Sequence, residues 1–255
     1  ERLASGESWR ARVLVFAIAL SYLMAFPSFD VIRTGEFTRT WSALEQQFSQ
    51  PFTPRPYPPG SHEAKTALRL TVPVAAHVIG FHAGGALVLQ FLSGVAVLAL
   101  TIALTFRITG DRVAAALCAI AVATTFPGIA AFSDDYRGMF DGVAYALLLA
   151  ALWSRAPWTV FACVFLAAFT DERALLGSTL IIPWWWLRSA DGHRDPSAPR
   201  PRRLPHQITA VIAAWIVYAA TRAWLQIRFG LSTPIGSDVG VGLSVFEKQL
   251  SGVPF

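Results

Sequence analysis

The apolar positions of this chain fall mainly in long runs free of Asp, Glu, Lys and Arg. The first runs from Val13 to Phe29, behind Arg10 and Arg12 and with Pro27 near its end. The longest runs from Leu70 to Phe106. One crossing of a ~30 Å hydrocarbon core takes about 20 residues, so this run holds more than a simple span. It predicts a crossing over Ala83 to Phe106, with Leu70 to His82, broken by Pro73 and Gly80, as an interfacial lead-in. Val113 to Ser133 makes a third span. Gly142 to Ser154, Ala156 to Thr170 and Ala174 to Leu187 are shorter runs. Each would cover only ~20 Å as a helix, as a short crossing in a thinned region or as a partly re-entrant helix. Leu204 to Thr221, running on toward Phe229, is the last. At face value the pattern predicts seven crossings: an all-α polytopic transmembrane bundle, one domain over residues 1–255. The chain has no starting Met and stops at Val253-Pro254-Phe255, so a piece of a longer protein, incomplete at both ends, is expected.

Residues 28–69 form the largest polar segment, read as an outer loop. Within it Phe37, Trp41, Leu44 and Phe48 recur at the spacing of one helical stripe, with Glu45, Gln46 and Gln47 elsewhere. The spacing predicts an amphipathic helix over 37–48, lying on the membrane surface. Five prolines between Pro51 and Gly60 then force an extended, stiff path, either a linker or part of an ordered cap.

Composition agrees with the pattern. Apolar residues make up 54% and charged residues 15%, with a mean hydropathy of +0.48. Soluble domains average roughly 25% charged. This excludes a disordered chain, a disulfide scaffold and a nucleic-acid module. Cys118 and Cys163 both sit in apolar runs and read as small core residues, not a disulfide. The net charge of +5 and pI of 9.7 report sidedness. With the N-terminus inside, segments 1–12, 107–112, 154–157 and 188–205 carry 11 Arg and 5 acids, against 10 Lys or Arg and 11 acids in the remainder. Arg188 to Arg203 alone holds five Arg, which makes 188–205 a cytoplasmic loop and places the N-terminus in the cytoplasm.

Candidate chemistry gathers at the outer ends. Ser133 to Asp141 carries Asp134, Asp135, Arg137 and Asp141; the turn Thr170 to Arg173 carries Asp171, Glu172 and Arg173; Asp30 follows Pro27 on the same face. Acids near the hydrocarbon boundary are costly unless paired or ligating. They have ordinary uses too: Asp141, Asp171 and Glu172 as helix caps, Arg137 and Arg173 as ion-pair partners. His62 on the outer loop has the chemistry to join an acidic site. His77 and His82, five apart, are a poor helical metal pair. No Ser/His/Asp signature, CxxC or phosphate-binding Gly loop occurs. Trp184-Trp185-Trp186 ahead of Arg188 reads as an inner-interface aromatic anchor, and Gly84, Gly85 and Gly94 as sites of close helix packing.

A basic N-terminus, one span, and a long outer loop with a surface helix and an acid just past the span resemble the GT-C glycosyltransferase superfamily. The segments Phe140 to Leu149 and Ala168 to Leu175 look like those of uncharacterised bacterial inner-membrane proteins related to it. The resemblance implies transfer of a sugar from a polyprenyl-phosphate donor at the outer face. It implies Asp30 as catalytic base, Asp134 and Asp135 as ligands of a divalent cation (Mg or Mn), and Arg137, Asp141, Asp171, Glu172, Arg173 and His62 about the substrate. Membrane lipid approaches beside Trp41 in that scheme, and no nucleic acid takes part. Two other readings stand beside it. One is a non-catalytic structural subunit packed against other membrane subunits. The other is a small-solute transporter, which Gln90 as the main mid-span polar residue does little to support.

Overall fold

The computed structural model describes residues 2–25, 38–55, 66–125, 128, 132, 140–191 and 205–231, with side chains at most of them. Every extended regular element among these is an α-helix. In chain order they are α1 (Arg2–Ala25), α2 (Thr38–Ser49), α3 (Thr71–Ile79), α4 (Ala83–Thr109), α5 (Arg112–Thr124), α6 (Asp141–Trp153), α7 (Pro157–Thr170), α8 (Arg173–Ser178), α9 (Ile181–Asp191) and α10 (His206–Phe229).

Local chemistry sets most of the boundaries. Gly80 ends α3 and Gly110 ends α4, both in the left-handed conformation (φ 80° and 67°). Asp111 then caps α5, its carboxylate accepting from the Val113 N–H at 2.8 Å. Pro157 occupies the first position of α7, where no N–H is needed. Pro73 does not break the lead-in as expected. It is the third residue of α3, in the first turn, where its missing N–H costs nothing.

The helices pack in a row. α1 and α5 lie against α4, α4 against α6, α6 against α7 and α7 against α10, with α8 and α9 closing over α6, α7 and α10. Small residues line the contacts: Ala115, Ala119 and Ala123 form a fully buried stripe on α5, which lets backbones approach closely. The largest cluster joins Ala151, Val160, Val164, Ile181, Trp185, Val211 and Ala214. Three side chains from other helices fix the C-terminal end of α6. Trp184 Nε1 donates to Leu152 O (3.2 Å), Arg107 to Trp153 O (3.2 Å) and Gln207 to Arg155 O (2.7 Å). The same end gathers Trp9 against Phe106, at 5.4 Å between ring centroids. Segments that charge counting assigned to one side thus share one end of the bundle.

Two helical segments, Gly84–Thr109 and His206–Phe229, are long and apolar enough to cross a membrane among the described residues. Seven crossings are therefore not supported. α5, α6 and α7 have 13, 13 and 14 residues, ~20 Å each. In the Val113 run α5 ends at Thr124 and Thr125 is a bend, Gly128 and Phe132 are again helical, and Ser133 lies outside the described residues. The run Ala174 to Leu187 is two helices, α8 and α9, parted at Thr179 and Leu180. Pro183 explains the break. It has no N–H for Thr179 O, so the chain tightens into i→i+3 bonds (Leu180 N–H to Gly177 O, Ile182 N–H to Thr179 O) and restarts as α9.

The expected helix over 37–48 is α2. Phe37 and the Trp41 side chain lie outside the described residues. Leu44 and Phe48 are buried against Val72, Ala76, Ala86, Phe140 and Val143, so this part of the stripe faces protein. Gln47 is buried with them, donating to Thr66 O at 2.9 Å. The glycine expectation changes as well. A side chain at Gly94 would strike the Phe132 ring, one at Gly85 would strike Phe81, and Gly84 faces open space, so aromatic rings rather than helix backbones use these positions. Cys118 and Cys163 are free thiols.

Candidate functional site

The N-terminal end of α6 carries the charged side chains. Phe140 precedes it in the left-handed region (φ 50°), the one non-glycine residue with positive φ among the described residues. Its ring is buried and stacks on Phe48 at 6.5 Å, so packing holds a backbone conformation that costs on the order of 1–3 kcal/mol. That bend delivers Asp141 to the interior.

Asp141 is not the helix cap; Phe140 has that position. Its side chain is 2% exposed, and its Oδ2 accepts from Arg173 at 2.8 Å. Its Oδ1 lies 3.8 Å from Arg69 and has no hydrogen-bond donor. Asp171, 4% exposed and following α7, accepts from Arg173 Nε at 2.8 Å and from the Arg173 backbone N–H at 3.0 Å. Arg69 donates to Asp171 Oδ1 at 3.4 Å. Two guanidinium groups and two carboxylates thus form a neutral network joining the segment before α3, the start of α6 and the α7–α8 turn. Beside it Arg222 of α10 lies 2.8 Å from Glu172 and donates to the Tyr218 hydroxyl at 2.8 Å. Tyr218 is buried against Phe169.

The environments of the two aspartates differ. Burial pushes the Asp141 carboxyl up to about 6, helped by the Asp171 charge and opposed by Arg173 and Arg69. Burial also raises Asp171, but the Arg173 hydrogen bond and the Arg69 charge outweigh it, and this carboxyl stays below its ordinary value. Its hydrogen bond to Asp171 in turn raises the pKa of Arg173.

Of the residues expected at a site, Asp141, Asp171, Glu172 and Arg173 come together here. Asp30, His62, Asp134, Asp135 and Arg137 lie outside the described residues, and with them the expected base and cation ligands. Asp141 and Asp171 do not suit a cation, since both face guanidinium groups. Among the described residues no group of three or more His, Cys, Asp or Glu side chains is placed to hold a metal. His77 hydrogen-bonds Phe48 O, and His82 pairs with Glu45 at 3.2 Å on the surface. Arg69 and Arg222 were not among the expected residues. Each had a signal: Arg69 stands directly before the longest apolar run, and Arg222 stands one turn after Tyr218 and ends the charge-free run from Leu204 to Thr221.

No protein-family model, curated protein or solved structure matches the chain. The resemblance to the GT-C superfamily rests on sequence features alone.

Proposed function

We propose that this chain is an integral membrane protein acting as a non-catalytic packing subunit within a larger membrane assembly. Membrane residence is supported by what the two long helices leave uncovered. A core helix of a soluble protein is mostly buried, yet the apolar windows of these two are only 44% and 33% buried. Val88, Leu92, Ile216 and Ile227 are all more than half exposed. Apolar surface on this scale needs lipid or partner helices. The observation that carries the subunit reading is the pairing of the three described acids around the start of α6 and the α7–α8 turn with arginines: Asp141 and Asp171 with Arg173 and Arg69, Glu172 with Arg222. Such a network fastens helices and leaves neither Asp141 nor Asp171 free for a cation. In the orientation we propose, the N-terminus and residues 188–205 are cytoplasmic in a bacterial inner membrane. Membranes washed in alkaline carbonate should retain the chain, and S197C should resist an impermeant thiol reagent added from outside. Mild-detergent extraction should yield it with stoichiometric partners; a monomer would count against the subunit role.

Asp141 favours a second reading, sugar transfer from a polyprenyl phosphate. A buried carboxyl raised toward neutral pH, with one oxygen lacking a donor, suits proton exchange with a substrate hydroxyl. On this reading Asp30 is the base, Asp134 and Asp135 hold the cation, and Asp30→Asn lowers glycolipid turnover ~100-fold with the protein still in the membrane. Unchanged turnover would leave the subunit reading alone.

A further inference from the structure

The opposite end of the bundle carries a different arrangement. Arg107 stands in the last turn of α4, Arg155 in the α6–α7 connection and Arg188 in the last turn of α9. Arg155 and Arg188 lie close enough to Arg107 to act on its charge. No carboxylate whose side chain is described pairs with any of the three. Nearby Asp111 is spent as the cap of α5. Here, unlike at the other end, positive charge converges with no described carboxylate paired to it.

Two further features point to a missing acceptor. An Arg188 guanidinium nitrogen (Nη1) is buried with no hydrogen-bond partner, and so is the Trp185 indole N–H, three residues earlier on the same face of α9. Buried donors are paired in almost all folded proteins, so two orphans on one helix face mark a position where an acceptor belongs. Aromatic rings flank the cations: Arg107 lies 4.9 Å over Trp153, and Arg188 lies 5.0 Å over Trp184. Trp184 is held in turn by its bond to Leu152 O.

We propose that this end is a binding site for the phosphate of an anionic membrane lipid, held by Arg107, Arg155 and Arg188 between the Trp153 and Trp184 rings. Guanidinium groups match phosphate oxygens in fork geometry. The apolar rim favours a lipid over free phosphate. Trp158 is 81% exposed, and Trp186 and Leu187 are exposed beside the cations, where acyl chains would lie. The site rests on the membrane reading and is independent of the chemistry at the other end.

The test uses the full chain in dodecyl maltoside, with thermal unfolding followed during titration with phosphatidylglycerol. The expected result is a saturable rise in the unfolding midpoint, absent with phosphatidylcholine and with sodium phosphate matched in ionic strength to chloride. Arg188→Gln and Arg155→Gln should each raise the half-saturating lipid concentration about fivefold, the scale of one basic residue at an anionic membrane surface. Arg155 is exposed on a connection, so its variant reports even where Arg188→Gln fails to fold. Arg228→Gln, near the far end of α10, should change nothing. An equal rise with phosphatidylcholine, saturation by free phosphate, or an unaltered lipid response in Arg155→Gln would overturn the proposal. Loss of the chain from carbonate-washed membranes would overturn the membrane reading with it; retention without a phosphatidylglycerol response would overturn the lipid site alone.

Discussion

Arg173→Gln is the most direct test of the network at the start of α6. Arg173 contacts two carboxylates that are 2% and 4% exposed, at 2.8 and 2.7 Å. Removing its charge leaves Asp141, Asp171 and Arg69 with a net charge of −1 in a poorly hydrated place. Breaking a buried ion pair from one side costs about 3–5 kcal/mol. Two features reduce that here. The Arg173 side chain is 61% exposed, so water already screens it, and Arg69 still faces both acids. The expected loss is ~2–3 kcal/mol, or about 5–10 °C in the unfolding midpoint of a chain this size. Arg173→Lys should recover only part of it, since an ammonium cannot fork across two carboxylates. The cycle with Asp141→Asn is sharper. Asn at 141 removes the carboxylate that Arg173 neutralises, so the double variant should be at least ~1 kcal/mol more stable than the sum of the two losses. Chemical or thermal unfolding in detergent micelles gives all four values. Strict additivity, or Arg173→Gln within ~0.5 kcal/mol of the parent protein, would show that these charges do not act as a unit.

Stability should also depend on pH through the two aspartates. Asp141 titrates near 6 when folded, above its ordinary 3.8, so the folded state binds the extra proton between those values. Stability should therefore rise by on the order of 2–3 kcal/mol as pH falls from 7 toward about 4, and this limb should vanish in Asp141→Asn. Asp171 acts oppositely: its stabilisation is present above the ordinary carboxylate value and is lost as pH falls through its depressed folded value, so acid unfolding should follow below about pH 4. Phe48→Ala, which empties a buried contact under Phe140, should cost ~3–4 kcal/mol in the same unfolding assay. Ala151→Leu, at a fully buried site between α6 and its neighbours, should cost ~1–3 kcal/mol by overpacking.

The helices, the amphipathic stripe at Leu44 and Phe48, and the glycine stop at 80 were legible in the chain. They follow from side-chain periodicity and backbone sterics acting within a few residues. The gathering of segments 107–112 and 154–157 near the start of α1 and the end of α9 was legible as well, because consecutive antiparallel helices return the chain to the same end. Counting charges misjudged how much of each run is one helix. Ala174 to Leu187 contains no charge, yet Pro183 withholds one N–H and divides it. The ionic network lay beyond the sequence for another reason. Asp141, Asp171, Glu172 and Arg173 stood out as costly charges at helix ends, but their partners are set by which ends lie side by side. Arg69 meets Asp171 across 102 residues of chain, and Arg222 reaches Glu172 from α10. Local preferences decide where a helix starts and stops; only the packing of α3, α6, α7 and α10 decides that these acids neutralise arginines, while Arg107, Arg155 and Arg188 converge with no described carboxylate side chain paired to them.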